Sequence, residues 1–223
     1  MTPVTLITKT RQIDFKMELD RADPNDAWLL AHMENRLCYE SELVQLMLRA
    51  IKPGQTVLDA GANVGFFTIL MSHLVGDKGK VIAVEPGENV YGKLIYNLSI
   101  NDITNVEVRR RVLWDKPDSQ MKFYLNQDSS GGNAVWDPGL WEANTKSRAD
   151  PVSYMQLTTT VDAIAASRKF DFAKFDIEGA EERALTGARS ALTGCAYIVT
   201  ELNPFGQSQC GSSEHSLRRL MRG

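Results

Sequence analysis

Short apolar runs alternate along the chain with longer segments in which apolar residues recur every three or four positions. The runs "TVLDA" and "KVIAVEP" are nearly continuous, as expected of strands that are buried on both faces of a parallel sheet. The segment "NVEVRRRVLWD", residues 105–115, is predicted as a third strand. Between these strands, "VGFFTILMSHL" and "NVYGKLIYNLSIND" have helical periodicity. Strands that alternate with helices predict right-handed crossovers and one mostly parallel sheet with helices on both faces.

Further predicted strands and helices lie upstream and downstream of this region. Upstream, "SELVQLMLRAI" predicts an amphipathic helix, whereas residues 1–40 are predicted as an irregular accessory segment with at most a short strand at Val4 to Ile7. Downstream, "FDFAKFDIEG" and "AYIVTEL" are predicted strands and "AEERALTGARSAL" a helix. The chain then closes on a helix, "SSEHSLRRLMRG", with no strand after it. An α/β domain is therefore expected over residues 41–223, with one or two final strands missing from its sheet.

An insertion at about residues 119–160 interrupts the α/β pattern. The segments "QMKFYLN" and "YMQLTTT" are predicted strands, and a polar stretch from Gln127 to Pro151 separates them. A loop of this length in a compact domain is usually either functional or disordered. Trp136 and Trp141 favour a lid on the substrate side, because solvated linkers seldom contain tryptophan. Plain disorder remains the alternative.

Composition narrows the class of protein. The chain has 223 residues, of which 43% are apolar, which is enough for one compact domain with a full core. Its formal net charge of -3 does not favour binding of the protein as a whole to nucleic acid. The basic run Arg109 to Arg111 is expected to be a solvated strand end. The sequence shows no signal peptide and no apolar stretch of roughly 18 residues, which predicts a cytoplasmic protein without a membrane span.

The first predicted strand ends in the turn "DAGANVG", at the sheet edge where open α/β folds bind ligands. Gly61 allows a tight turn, and Gly65 lets the following helix approach the sheet closely. Glu85 ends the second strand about 20 residues after Gly65, the usual spacing for an acidic residue that binds the two hydroxyls of a ribose. The sequence therefore predicts a nucleoside-containing ligand.

The identity of that ligand follows from charge. Gly61-x-Asn63-x-Gly65 departs from the Gly-x-Gly-x-x-Gly pattern of dinucleotide sites, and a carboxylate at Asp59 would repel a pyrophosphate. S-adenosylmethionine has no phosphate and carries an ammonium and a sulfonium group, so Asp59 could help to bind its cationic end. The turn, including Asn63, would then hold the methionine portion. The pattern favours S-adenosylmethionine over NAD, and an Asp59 that merely caps the helix is the alternative.

Five segments in order, "VLDAGANVGFFT", "VIAVEP", "LIYNLSIND", "TTTVDAI" and "FAKFDIEGAEERALTGA", resemble the FkbM-type S-adenosylmethionine-dependent methyltransferases. The resemblance covers Tyr39 to Leu202, and the pairing of "DxGANxG" with "KxDxEGxE" makes it specific. It implies a Rossmann-like class I methyltransferase fold, with S-adenosyl-L-methionine as cofactor. It also implies transfer of a methyl group to a hydroxyl, commonly on sugars, glycolipids, polyketides or peptide natural products.

Two carboxylates are the candidate catalytic residues. Asp176 ends the strand predicted to lie beside the cofactor strand, where a base could activate a hydroxyl. Glu178 is expected to support it, or else only to cap the next helix. Together with Glu201 they are oxygen ligands of the kind Mg²⁺ accepts, but they are few, and no metal is predicted.

Two further residues are predicted on the cofactor side. Val112, near the end of the third strand, is expected beside the adenine. Glu40 precedes the first helix of the domain and either contacts the cofactor or is simply a helix N-terminal acid.

The function expected from the sequence is S-adenosylmethionine-dependent O-methyl transfer to a small molecule, sugar or natural product. A nucleic-acid methyltransferase, and a module that binds the cofactor without catalysis, are the alternatives. The expected partner is a small-molecule or glycan acceptor rather than nucleic acid, and a homodimer stays open.

Overall fold

A computed structural model describes residues 2–7, 12–35 and 37–222. The strands are β1 (Thr2–Ile7), β2 (Gln12–Met17), β3 (Thr56–Ala60), β4 (Lys80–Val84), β5 (Val106–Arg109), β6 (Val112–Leu113), β7 (Gln120–Leu125), β8 (Val152–Thr159), β9 (Phe172–Phe175) and β10 (Tyr197–Thr200). The helices are α1 (Pro24–Glu34), α2 (Ser41–Ala50), α3 (Phe66–Val75), α4 (Glu88–Ser99), α5 (Thr145–Ala149), α6 (Val161–Ala165), α7 (Glu181–Thr186), α8 (Pro204–Gln209) and α9 (Glu214–Arg222).

The centre of the fold is a five-stranded sheet in the order β10-β9-β3-β4-β5, and every neighbouring pair in it is parallel. Successive residues of β3 and β4 belong to two different hydrophobic clusters. Val57 and Val81 join one cluster, which includes α3, while Leu58 and Ile82 join the other, which includes α6 and α7. Since alternate side chains of a strand point to opposite faces, helices cover both faces of the sheet. The predicted α/β architecture is confirmed.

The N-terminal segment is more regular than predicted: the short strand expected at Val4 to Ile7 lies within β1, whereas β2 and α1 were not expected. Strands β1 and β2 form an antiparallel pair, and α1 follows. The alternating pattern of β2 buries Ile13, Phe15 and Met17, and Phe15 packs against Phe66 of α3 with ring centroids 5.8 Å apart. The alternation that marks β2 was present in "QIDFKM" but is too short to stand out among polar neighbours. This segment is therefore part of the main hydrophobic core.

The predicted third strand is in fact two strands. β5 ends at Arg109, and β6 then leaves the main sheet to pair in parallel with β8 of the insertion. β7 and β8 pair in an antiparallel hairpin with Gln120 opposite Leu157 and Leu125 opposite Val152, which confirms the two strands predicted there. The result is a second, three-stranded sheet in the order β6-β8-β7 that stands next to the carboxyl end of β4.

No strand follows β10 in the part of the chain that the structure describes, where α8 and α9 come last. None of the helices in the described ranges is both long enough and apolar enough to cross a membrane.

Candidate active site

A cavity opens at the carboxyl ends of β3, β4 and β9, where ligands bind in open parallel sheets. Its walls include the turn after β3, the loops after β4 and β9, the insertion with β6, and residues of α1 and of the segment before α2. Most of the predicted site residues line it, namely Glu40, Gly61, Asn63, Glu85, Val112, Asp176 and Glu178. Asp59 and Gly65 are not among the lining residues.

The turn after β3 depends on glycine. Gly61 has a φ of +82°, and a Cβ there would overlap the backbone oxygen of Asp176 and lie 2.8 Å from its carbonyl carbon. The end of β9 can therefore approach β3 only because residue 61 has no side chain. Gly65 has a φ of +99°, and its Cβ would lie 2.8 Å from Cδ1 of Leu94 in α4. Gly65 thus permits close contact between two helices, rather than the predicted contact between a helix and the sheet.

Glu85 is held by the backbone on both sides. Its Oε2 accepts a hydrogen bond of 2.8 Å from the backbone N–H of Asn63, and its Oε1 accepts one of 2.7 Å from that of Gly87. The side chain is only 5% exposed, and burial raises its pKa to about 7, although the two hydrogen bonds act in the opposite direction. Each carboxylate oxygen keeps a lone pair for a further donor, such as a ribose hydroxyl.

Asp59 lies behind the cavity rather than in it. The residue is fully buried, and its Oδ2 accepts a 2.5 Å hydrogen bond from the hydroxyl of Thr68 in α3. Its Oδ1 lies 3.8 Å from Nζ of Lys174 on the neighbouring strand β9. The predicted contact between Asp59 and a cationic ligand is therefore not supported, because the protein itself supplies the cation.

Lys174 connects Asp59 to the cavity. Its Nζ lies 2.9 Å from Oδ2 of Asp176 and 5.1 Å from the ring centroid of Phe67. Burial alone would lower the pKa of Lys174, but the charges of Asp176 and Asp59 outweigh it and raise that pKa. The ammonium group therefore stays charged and is shared by both carboxylates, of which only Asp176, whose side chain is 34% exposed, reaches the cavity.

Three carboxylates converge at the mouth of the cavity. One oxygen each of Asp176, Glu178 and Glu201 lies within 4.8 Å of the others. Burial and the charge of Asp176 raise the pKa of Glu178 and of Glu201. Asn203 donates a 2.7 Å hydrogen bond to Oε2 of Glu178, so the residue before α8 also contributes to the site. The three oxygens could share a proton or hold a divalent cation.

Glu181, the last acid of the "KxDxEGxE" motif, has a structural task. It is fully buried at the start of α7, and its Oε1 accepts hydrogen bonds from the backbone N–H groups of Ile177 (3.0 Å) and Gly179 (3.2 Å). These bonds fix the turn in which Glu178 adopts a left-handed conformation with a φ of +55°. The motif thus combines two carboxylates for the cavity, Asp176 and Glu178, with a third that shapes the loop.

Several lining residues come from regions without a recognisable motif. Asn25 of α1 donates a long hydrogen bond of 3.4 Å to Oδ1 of Asn63, and Tyr39 lies beside Phe66 and Phe67 at the same end of the cavity. The insertion adds Phe123, Ser130, Gly131, Asn133 and Val135 to the lining. No local sequence pattern marks these residues, because the fold alone brings them to the cavity.

Comparison with known proteins identifies the family. The model of the methyltransferase FkbM domain matches residues 59–223, and the chain therefore belongs to this methyltransferase family. An arsenite methyltransferase of Halobacterium salinarum is 42% identical over 60 residues, which are 27% of this chain and 15% of that protein.

Two crystal structures are among those that the chain resembles. A SAM-dependent O-methyltransferase from Thermotoga maritima shares 16% identity with a TM-score of 0.50, over 87% of this chain and 55% of that one. A methyltransferase FkbM from Methylobacillus flagellatus KT shares 16% identity with a TM-score of 0.44, over 72% of this chain and 40% of that one. The chain thus spans about half or less of each relative. Family membership makes S-adenosylmethionine the expected cofactor of the cavity.

Proposed function

We propose that this protein transfers a methyl group from S-adenosylmethionine to a hydroxyl of a small-molecule or glycan acceptor. The observation that carries the proposal is the number of carboxyl groups in the cavity. Five acidic residues line it, Glu40, Glu85, Asp176, Glu178 and Glu201, against two basic ones, Arg111 and Lys174. Lys174 is already paired with Asp176 and Asp59. Such a lining offers many acceptor oxygens and little positive charge, so it suits a donor without phosphates better than a dinucleotide.

The residues present fit this cofactor. Glu85 offers acceptor atoms for the ribose hydroxyls at the end of β4, and Val112 and Phe123 offer an apolar wall for the adenine. When bound, S-adenosylmethionine supplies a methyl group on a positively charged sulfur. The task left to the chain is to align the acceptor oxygen and to receive its proton.

Asp176 is the proposed proton acceptor, and Nζ of Lys174 lies 2.9 Å behind its Oδ2. Glu178 and Glu201, with their raised pKa values, are proposed to keep protons near neutral pH and to bind further polar groups of the acceptor. This division resembles other sites in which neighbouring carboxylates take different roles because their surroundings separate their pKa values. Asp59 contributes only through Lys174.

Calorimetric titration with two ligands tests the donor site without knowledge of the acceptor. S-adenosylhomocysteine is neutral where the methyl-bearing sulfonium would be, and sinefungin carries an amine at that place. If Asp176 faces this position, wild-type protein should bind sinefungin more tightly than S-adenosylhomocysteine. Asp176→Asn should remove that preference and leave the affinity for S-adenosylhomocysteine within a few-fold. Folded wild-type protein that binds neither ligand at millimolar concentration would refute the proposal.

Methyl transfer itself is tested by incubating the protein with radiolabelled S-adenosylmethionine and a fractionated extract. Label should enter a small-molecule or glycan fraction with the wild type and not with Asp176→Asn. Label in the nucleic-acid fraction would favour the alternative of a nucleic-acid methyltransferase. The structure gives that alternative little support, because Arg109 and Arg110 are paired with Glu107 and Glu88 at 2.9 Å each. Cofactor binding without transfer to any fraction would identify a non-catalytic module.

A further inference from the structure

The hydroxyl of Tyr154, in strand β8 of the insertion, bridges two backbone groups of the loop that follows β4. It donates a hydrogen bond to the carbonyl oxygen of Pro86 at 2.5 Å and accepts one from the backbone N–H of Glu88 at 3.0 Å. Both partners flank Gly87 in the chain. One phenol oxygen therefore fixes the backbone on either side of this glycine, from a strand 66 residues away in sequence.

The loop that Tyr154 fixes is the one that orients Glu85. The backbone N–H of Gly87 is a direct donor to Oε1 of Glu85, so a displaced Gly87 would release one side of the carboxylate. A Cβ at Gly87 would lie 2.8 Å from that same oxygen, which shows how closely the loop encloses it. The position of Glu85 thus depends on the conformation of Gly87, and that conformation depends on Tyr154.

Arg110 supports the same arrangement from the break between β5 and β6. Its guanidinium carbon lies 5.7 Å from the ring centroid of Tyr154, and it forms a 2.9 Å ion pair with Glu88. Asn133 of the insertion donates a 2.8 Å hydrogen bond to Asn89, in the first turn of α4 directly after the loop. The insertion therefore contacts both the loop after β4 and the start of α4, on the side of the cavity assigned to the nucleoside.

We propose that Tyr154 is a positioning residue for the cofactor and that the inserted hairpin forms part of the cofactor site. Its hydroxyl holds residues 86–88 so that the carboxylate of Glu85 is ready to accept the ribose hydroxyls. The affinity for the cofactor then depends on the insertion, which the sequence predicted as a lid on the substrate side. This inference rests on the proposed function, in which Glu85 binds the ribose of S-adenosylmethionine.

Calorimetric titration with S-adenosylhomocysteine tests the proposal in a double-mutant cycle. Tyr154→Phe removes only the hydroxyl and should weaken binding about ten-fold, the effect of losing a well-placed hydrogen bond. In a Glu85→Gln background the same change should weaken binding less than two-fold, because the group that Tyr154 positions is no longer a carboxylate. Tyr124→Phe, which removes a hydroxyl from the paired strand β7, should bind like the wild type.

Two results would overturn the inference. Unchanged affinity in Tyr154→Phe would show that the loop keeps its conformation without the hydroxyl. An equal loss with and without Glu85→Gln would show that Tyr154 supports the structure in general and does not act through Glu85. Either result is distinguishable from failure of the proposed function, in which the wild type itself would bind no S-adenosylhomocysteine.

Discussion

Replacing Gly61 by alanine should separate the two strands that form the site. The residue has a φ of +82°, and a Cβ there would overlap the carbonyl of Asp176, which is main chain and cannot rotate away. The end of β9 must move to relieve this overlap, and that movement would break the 3.0 Å hydrogen bond from the backbone N–H of Asp176 to the carbonyl of Ala60. The substitution therefore acts on fold and site together.

The magnitude can be built from two parts. A left-handed conformation costs a residue with a Cβ about 1–2 kcal/mol, and forcing an extra carbon into a packed region costs about 1–3 kcal/mol more. The free energy of unfolding of Gly61→Ala should thus fall by about 2–5 kcal/mol. Gly54 is a matched control, since its φ is +86° and a Cβ there would meet nothing within 4 Å. Gly54→Ala should lose only the first part, about 1–2 kcal/mol.

Urea denaturation of both variants, followed by circular dichroism, measures this difference, and titration with S-adenosylhomocysteine measures its effect on the site. Gly61→Ala should bind at least ten-fold more weakly than the wild type, whereas Gly54→Ala should bind normally. Equal destabilisation by the two substitutions would refute the reasoning, because the close approach of β3 and β9 would then carry no cost.

Three further predictions concern the pKa of Glu85, the ion pairs of Lys174 and the hydrogen bond between Trp136 and Glu178. The folded-state pKa of Glu85 is raised from 4.5 to about 7. The free energy of unfolding that this group contributes is therefore lost as the pH rises from about 4.5 to about 7. In urea denaturation of Glu85→Gln over this pH range, this part of the pH dependence should disappear. Lys174→Met leaves two carboxylates uncompensated and should lower the free energy of unfolding by about 3–5 kcal/mol, and a loss below about 1 kcal/mol would contradict the pairing. Trp136→Phe removes the 2.7 Å hydrogen bond to the carbonyl of Glu178 and should lower the free energy of unfolding by about 1 kcal/mol. Thermal unfolding measures this loss, and Trp141→Phe, which removes no such bond, is the control.

The parts of the fold that the sequence predicted correctly are those specified by local pattern. The continuous apolar character of β3 and β4 and the tight turn at Gly61 depend on neighbours within a few residues, and both are found as expected. The break between β5 and β6 was missed because it depends on a partner elsewhere. Val112 and Leu113 leave the sheet to pair with residues 158 and 159 of the insertion.

The site was predicted less completely for the same reason. The sequence indicated which carboxylates end their strands, but it gave no direction for each side chain. Asp59 points toward Thr68 and Lys174 instead of the cavity, since its place in β3 puts it on the α3 face. Tyr154 and Asn25 reach the site from segments 66 and 38 residues distant from their partners, and no local pattern marks such contacts.

The N-terminal hairpin has a consequence for how the protein is handled in the laboratory. The family model begins at residue 59, yet Phe15 and Met17 are among the innermost side chains, and Asn97 of α4 accepts a 2.7 Å hydrogen bond from the backbone N–H of Glu18. A shortened version that started where the family model starts would expose the α3 surface that these residues cover. The unit that must be expressed is therefore larger than the unit by which the family is recognised.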